Sequence, residues 1–159
     1  MYLAFNDLVE LFSDIRGIKE ADHFYKTVTD DVNAMKTRGL FIPLSEDSGE
    51  LLEAIANGAI AAIWDKQKQL PKYTPNHFPI FFTDSPIVAV RELLRFYIEK
   101  IDGDKAEKMN MTNFVFLNKK LLKENKETYD IAVMLEKISK LNSKDDLERR
   151  GKNAGASYF

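Results

Sequence analysis

Residues 56–66 read ANGAIAAIWDK. Asn57-Gly58 is a helix stop, because glycine adopts the left-handed conformation that closes a last turn. Upstream, Leu51, Leu52, Ile55 and Ala56 predict the buried face of a short helix. Ser45-Glu46-Asp47-Ser48 offers its N-caps, and Glu50 lies near its first turn. Downstream, Ala59 to Trp64 is continuously apolar and does not alternate. A run of that length reads as a strand covered on both faces, and its alanines predict a helix packed close on one side. Helix, tight turn and covered strand make one αβ unit, so the sheet is predicted to be at least partly parallel.

The same reading extends in both directions. Asn6 or Asp7 caps a predicted first helix in which Leu8, Leu11, Phe12 and Ile15 recur at helical spacing, with Gly17 as its stop. His23 to Val28 is aromatic and β-branched and reads as a strand, followed by a polar loop at Thr29-Asp30-Asp31. Thr37-Arg38-Gly39 is turn chemistry before a second strand, Leu40 to Leu44, whose Pro43 belongs at a strand end or a bulge. Residues 65–79 carry three of the five prolines and read as a loop. Pro79 to Thr83 is a further strand. Asp84-Ser85-Pro86 then opens a long helix through Ile101, which Asp102-Gly103-Asp104 ends. Residues 102–110 are charged and linker-like. Phe114 to Leu117 predicts one more strand, and apolar spacing across 118–141 predicts one or two helices.

The chain has 159 residues, 45% of them apolar, which is enough to bury a core. Its formal net charge of −2 argues against a general nucleic-acid binder, which needs a basic surface to neutralise phosphates. There is no cysteine, so disulfides, thiolate catalysis and zinc-thiolate sites are excluded. The N-terminus lacks a basic stretch before its apolar positions, and no apolar run approaches ~18 residues. A cytoplasmic, non-membrane protein is the expectation.

Few residues advertise chemistry. His23 and His77 are the only histidines, and neither has a neighbour at metal-ligand spacing, so no metal is expected. No glycine-rich phosphate loop of either common form is present, so no nucleotide cofactor is expected. The serines lack a nucleophile-elbow setting. Asp30-Asp31 is the most informative acid pair, because it follows a strand in an α/β pattern. Ligand clefts in such folds form outside the carboxyl ends of strands.

The order of these pieces resembles a known family. TVTDDVNAMKTRGLFIPL, then LLEAIANGAIAAIW, then PIFFTDSPIVAVRELLRFY together resemble the N-terminal domain of Mur ligases. The similarity is to the enzymes that add the third residue or the terminal dipeptide of the muramyl peptide. It covers residues 1–101. In the family, a T-D-S-R segment precedes a P-G-D-L-F-x-A-L strand, and a helix ending in A-x-x-x-G-A leads into a strand of small apolar residues. The resemblance implies a domain that holds UDP-N-acetylmuramoyl-peptide. Thr29 and Asp30 match the T-D of the motif, while Asp31 stands at its serine and Val32 at its arginine. The family's D-G-H loop is shortened here to residues 45–49. The ATPase and C-terminal domains have no counterpart in these 159 residues, so a complete amide ligase is not expected.

The expected architecture is a small α/β domain of two or three layers with a mixed, partly parallel sheet over residues 1–101. A strand and helix extension over 102–141 packs on it or continues it, and 142–159 is a polar tail expected to be mobile. The resemblance implies a non-catalytic, stand-alone relative of the family domain. It would bind UDP-N-acetylmuramoyl-peptide-type ligands, or regulate, in cell-wall precursor metabolism. Its site residues would be Thr29, Asp30, Asp31, Leu44, Ser45, Thr83 and Asp84. The alternative is a protein-interaction or self-association module that kept the fold and lost the ligand, with the 118–141 helix as its contact surface. A hydrolase or transferase using Asp30, Asp31 or Asp84 is a third reading, for which no base–nucleophile pair can be named.

Overall fold

The computed structural model describes residues 1–19, 22–103, 110–117 and 130–141. The described chain runs β1 (Leu3–Ala4), α1 (Phe5–Leu11), β2 (Ile15–Arg16), β3 (Phe24–Tyr25), β4 (Thr27–Thr29), β5 (Gly39–Phe41), α2 (Leu51–Ala56), β6 (Ala59–Asp65), β7 (Ile80–Thr83), α3 (Pro86–Gly103) and β8 (Asn113–Val115). Residues 130–141 are helical. The expectations for the linker at 104–109, for 118–129 and for the 142–159 tail lie outside the described residues.

The sheet has six strands in the order β2-β7-β6-β5-β4-β8. Strands β7, β6, β5, β4 and β8 run parallel, and β2 joins the β7 edge antiparallel. β1 and β3 form a separate antiparallel ribbon. The expected α/β architecture with a mixed, partly parallel sheet is therefore present; the sheet is mostly parallel, and helices cover both its faces.

Strand β6 explains the sheet. Ala59, Ala62 and Trp64 face α2, where they join Leu51, Ala54 and Phe41 in one apolar cluster. Ala61 and Ile63 face α1 and α3, in a larger cluster with Leu8, Val90 and Tyr97. The lack of alternation has a local cause. Gly39 pairs with Ala59 and Leu40 pairs with Ala61, so Ile60 is an extra residue bulged out of the ladder. The bulge puts Ile60 and Ala61 on one side of the sheet, and alternation resumes after it.

The turn before β6 is seated on backbone. Gly58 has φ 123°, and a β-carbon there would lie 2.5 Å from the Lys36 carbonyl oxygen. The Asn57 side chain donates to the Val32 carbonyl at 2.8 Å. Asn57-Gly58 thus ends α2 and also fastens the β4–β5 connection.

Three crossovers, β4 to β5, β5 to β6 and β6 to β7, step along the sheet in one direction. Val32 and Met35 in the first, Leu51 and Ala54 in the second and Leu70 and Phe78 in the third all belong to the α2-side cluster. The fourth, β7 to β8, returns past the starting strand and uses α3 on the other face. Crossovers of one handedness must change face when they reverse direction. The 18 residues of α3 span about 27 Å, against about 19 Å for the four strand spacings from β7 to β8.

Several boundaries differ from those expected. α1 ends at Leu11, and Ile15 belongs to β2, paired with Phe81. Its apolar spacing suits a helix, but the sheet edge claims it. The expected 23–28 strand divides at Lys26 into β3, in the ribbon, and β4, in the sheet. On α2, Leu51 and Ala54 are buried, whereas Leu52 and Ala56 are exposed. Residues Glu46–Ser48 form their own 3-10 turn instead of capping α2. The helix 130–141 packs its Ile131 and Ile138 into the larger core.

A polar network ties the start of the chain to this core. Tyr97 Oη donates to the Met1 carbonyl at 2.6 Å and accepts from Thr112 N at 2.8 Å. Thr112 Oγ1 donates to the Tyr25 carbonyl at 2.6 Å and accepts from Leu3 N at 2.8 Å. Beside them Lys100 Nζ meets Asp7 Oδ2 at 2.6 Å, and that carboxylate also accepts from Ala4 N.

Candidate ligand site at the carboxyl edge

Five parallel strands end on one edge of the sheet. Thr29 closes β4, Leu44-Ser45 follows β5, Asp65 closes β6 just before Lys66, and Thr83 closes β7 just before Asp84. All seven residues singled out from the sequence therefore share an edge. They do not converge on a point. β4 and β7 are three strand spacings apart, about 14 Å, so only an extended ligand reaches both ends of the set.

The direction of the connections reverses at β4, whose neighbours are β5 on one side and β8 on the other. The connection after β4 moves to the α2 face, while Phe116 after β8 turns into the α3 face. Such a reversal point opens a crevice at the carboxyl ends of the two strands. Here Asp30 occupies it. The residue is fully buried, and its Oδ1 accepts from Leu117 N at 2.6 Å. A carboxylate accepting a backbone N–H is a strong, charge-assisted bond. Asp30 therefore staples the two lips of the crevice together.

Its neighbours also have local partners. Thr29 Oγ1 accepts from Asp31 N at 3.1 Å, and Asp31 Oδ1 accepts from Asn33 N at 2.9 Å, capping the 3-10 turn Val32–Ala34. Leu44 is half-buried against the larger core. Leu44 N and Ser45 N both donate to the buried Ser48 Oγ, at 3.1 and 3.3 Å.

At β7, Thr83 Oγ1 accepts from Ser85 N at 3.3 Å. The cap of α3 is Ser85, whose Oγ accepts from Val88 N at 3.4 Å. Asp84 points outward, and its side chain is 90% exposed. It faces Lys66 across 3.8 Å. Lys66 was not among the expected site residues, yet it puts an ammonium group on this edge. Its signal lies in the sequence, because it directly follows the last residue of β6.

No family model matches the chain. No curated protein matches it. Among solved structures, MurF from Acinetobacter baumannii is similar. The likeness covers 64% of this chain at 13% sequence identity and a TM-score of 0.47. The chain spans 22% of that MurF chain. The α/β class rests on the sheet described above. Among the described residues, no three of His, Asp or Glu gather as a metal site, and no helix is long and apolar enough to cross a membrane.

Proposed function

We propose that this chain is a non-catalytic binding module related to the Mur ligase N-terminal domain. Its ligand is an extended UDP-N-acetylmuramoyl-peptide-type molecule lying along the carboxyl edge, and its setting is cytoplasmic cell-wall precursor metabolism. The observation that carries the reading is the shared edge, with Leu44-Ser45, Thr83-Asp84 and Lys66 on adjoining strand ends. Lys66 supplies the positive charge for a diphosphate, exchanging Asp84 for a phosphate oxygen. The motif resemblance over residues 1–101 supports the same assignment. The reading gives no residue a bond-making role, and Asp30 serves the fold instead of the ligand.

The stapled crevice at Asp30 favours a second reading, a protein-interaction module that retains the fold without the ligand. A calorimetric and NMR titration with UDP, UDP-N-acetylglucosamine and UDP-N-acetylmuramoyl-dipeptide separates the two. Saturable shifts at Ser45, Lys66 and Thr83, weakened roughly tenfold by Lys66→Ala as expected for one lost charge-assisted contact, are the expected result. Silence at millimolar ligand rejects the first reading and leaves the second.

A further inference from the structure

We propose that the α2 face of the sheet is a self-complementary surface on which a second copy of this chain docks about a two-fold axis. The inference concerns the face adjoining the carboxyl edge, which it meets at Lys66, and it supplies a partner for the second reading above.

The charges on this face are segregated. The 3-10 turn and α2 present Glu46, Asp47, Glu50 and Glu53, all exposed, and residues 44–57 contain no lysine or arginine. The loop after β6 presents Lys66, Lys68 and Lys72, all exposed, and residues 66–73 contain no acid. The two halves lie side by side. α2 bridges β5 to β6 and the loop bridges β6 to β7, and Leu51 and Leu70 anchor them in the same apolar cluster. Each half also holds a large side chain out to solvent, Leu52 in the acidic one and Tyr73 in the basic one.

Acids at the start of α2 suit its helix dipole, which accounts for Glu50 and Glu53. It accounts neither for the purely basic loop alongside nor for the outward Leu52. Among the described residues, none of the four acids pairs with a lysine, and Lys68 and Lys72 have no acidic partner. A two-fold axis lying above this face, parallel to β6 and between the halves, sets the acids of each copy on the lysines of the other. Leu52 then meets Tyr73 twice. Isologous pairing requires just such a self-complementary patch, and charge complementarity of this kind selects the partner and steers encounter.

Sedimentation velocity on the nucleotide-free chain tests this. A dimer is expected at about 50 mM salt, with its dissociation constant rising tenfold or more by about 500 mM as the charges are screened. The K68E/K72E variant and the E50K/E53K variant are each expected to be monomeric. Mixed, they are expected to form a heterodimer, because each reversed half then meets its reversed complement. Circular dichroism checks that both variants fold. If E50K/E53K loosens α2, K68E/K72E carries the test alone, and its low-salt mass must fall to that of a monomer. A wild-type monomer at about 100 µM and low salt, well above the dissociation constants of stable dimers, overturns the proposal. So does a dimer that ignores the reversals.

Discussion

Asp30 shows how one side chain can look like a ligand group and serve the backbone. It follows a strand, lies beside a second acid and occupies the crevice where open parallel sheets bind ligands. Its carboxylate nevertheless holds Leu117 N from the far lip, 87 positions away in sequence. Asp30→Ala is expected to lose about 2 kcal/mol, the usual effect of removing a charged acceptor from a backbone N–H. Asp31→Ala, on an exposed 3-10 cap, is expected to lose about 1 kcal/mol or less. Urea denaturation of the two variants checks the order, and equal midpoints would remove Asp30 from its structural role. Sequence could place Asp30 at a strand end. It could not supply its partner, because that depends on β8 returning to the side of β4 opposite β5.

Among the elements, those with several turns or several strand residues were readable. β6 and α3 declare themselves through long apolar runs whose spacing is set within the element. The two-residue strands β1, β2 and β3 have no period to read, and their identity comes from the partner they meet. Ile15 is the clearest case, at helical spacing from Leu11 yet paired in the sheet. The α2–β6 turn was also legible, although its closest contact was not. Gly58→Ala is expected to destabilise by 2 kcal/mol or more, roughly double the ordinary penalty of a positive φ, because the added methyl also strikes the Lys36 carbonyl. A thermal melt compared with that of Ala56→Gly, an exposed change at the same helix end, measures the difference. A shift no larger than that of the control would mean the turn yields.

At the scale of the whole molecule, two buried tyrosines make opposite contributions. Tyr97 bridges Met1 and Thr112, whereas Tyr25 Oη has no hydrogen-bond partner among the described residues. Tyr97→Phe is expected to lose about 1–3 kcal/mol, while Tyr25→Phe is expected to be neutral or stabilising. Burial raises the pKa of both above the ordinary tyrosine value, partly offset at Tyr97 by its Thr112 hydrogen bonds and at Tyr25 by the Arg38 charge. Above pH about 10 the unfolded chain releases these protons and the folded chain keeps them, so stability falls as pH rises. Each tyrosine contributes up to about 1.4 kcal/mol per pH unit. Urea midpoints from about pH 9 to 11, in the range where unfolded tyrosine titrates, are expected to drop less steeply in Tyr25→Phe. An unchanged slope would mean that Tyr25 ionises in the folded state.

The strand order also bears on how the molecule is made. Strands β4 to β7 emerge in the order in which they pair, but β8, which completes the other side of β4, is separated from β7 by all of α3. Until residues 112–115 have emerged from the ribosome, β4 is an edge strand, and the Tyr25 carbonyl lacks the Thr112 hydroxyl that later donates to it. An open edge of that kind is a template for another chain. Ribosomes that dwell after β5 has left the exit tunnel and before β8 has done so hold out such a template, so codon choice over that window becomes a lever on soluble yield.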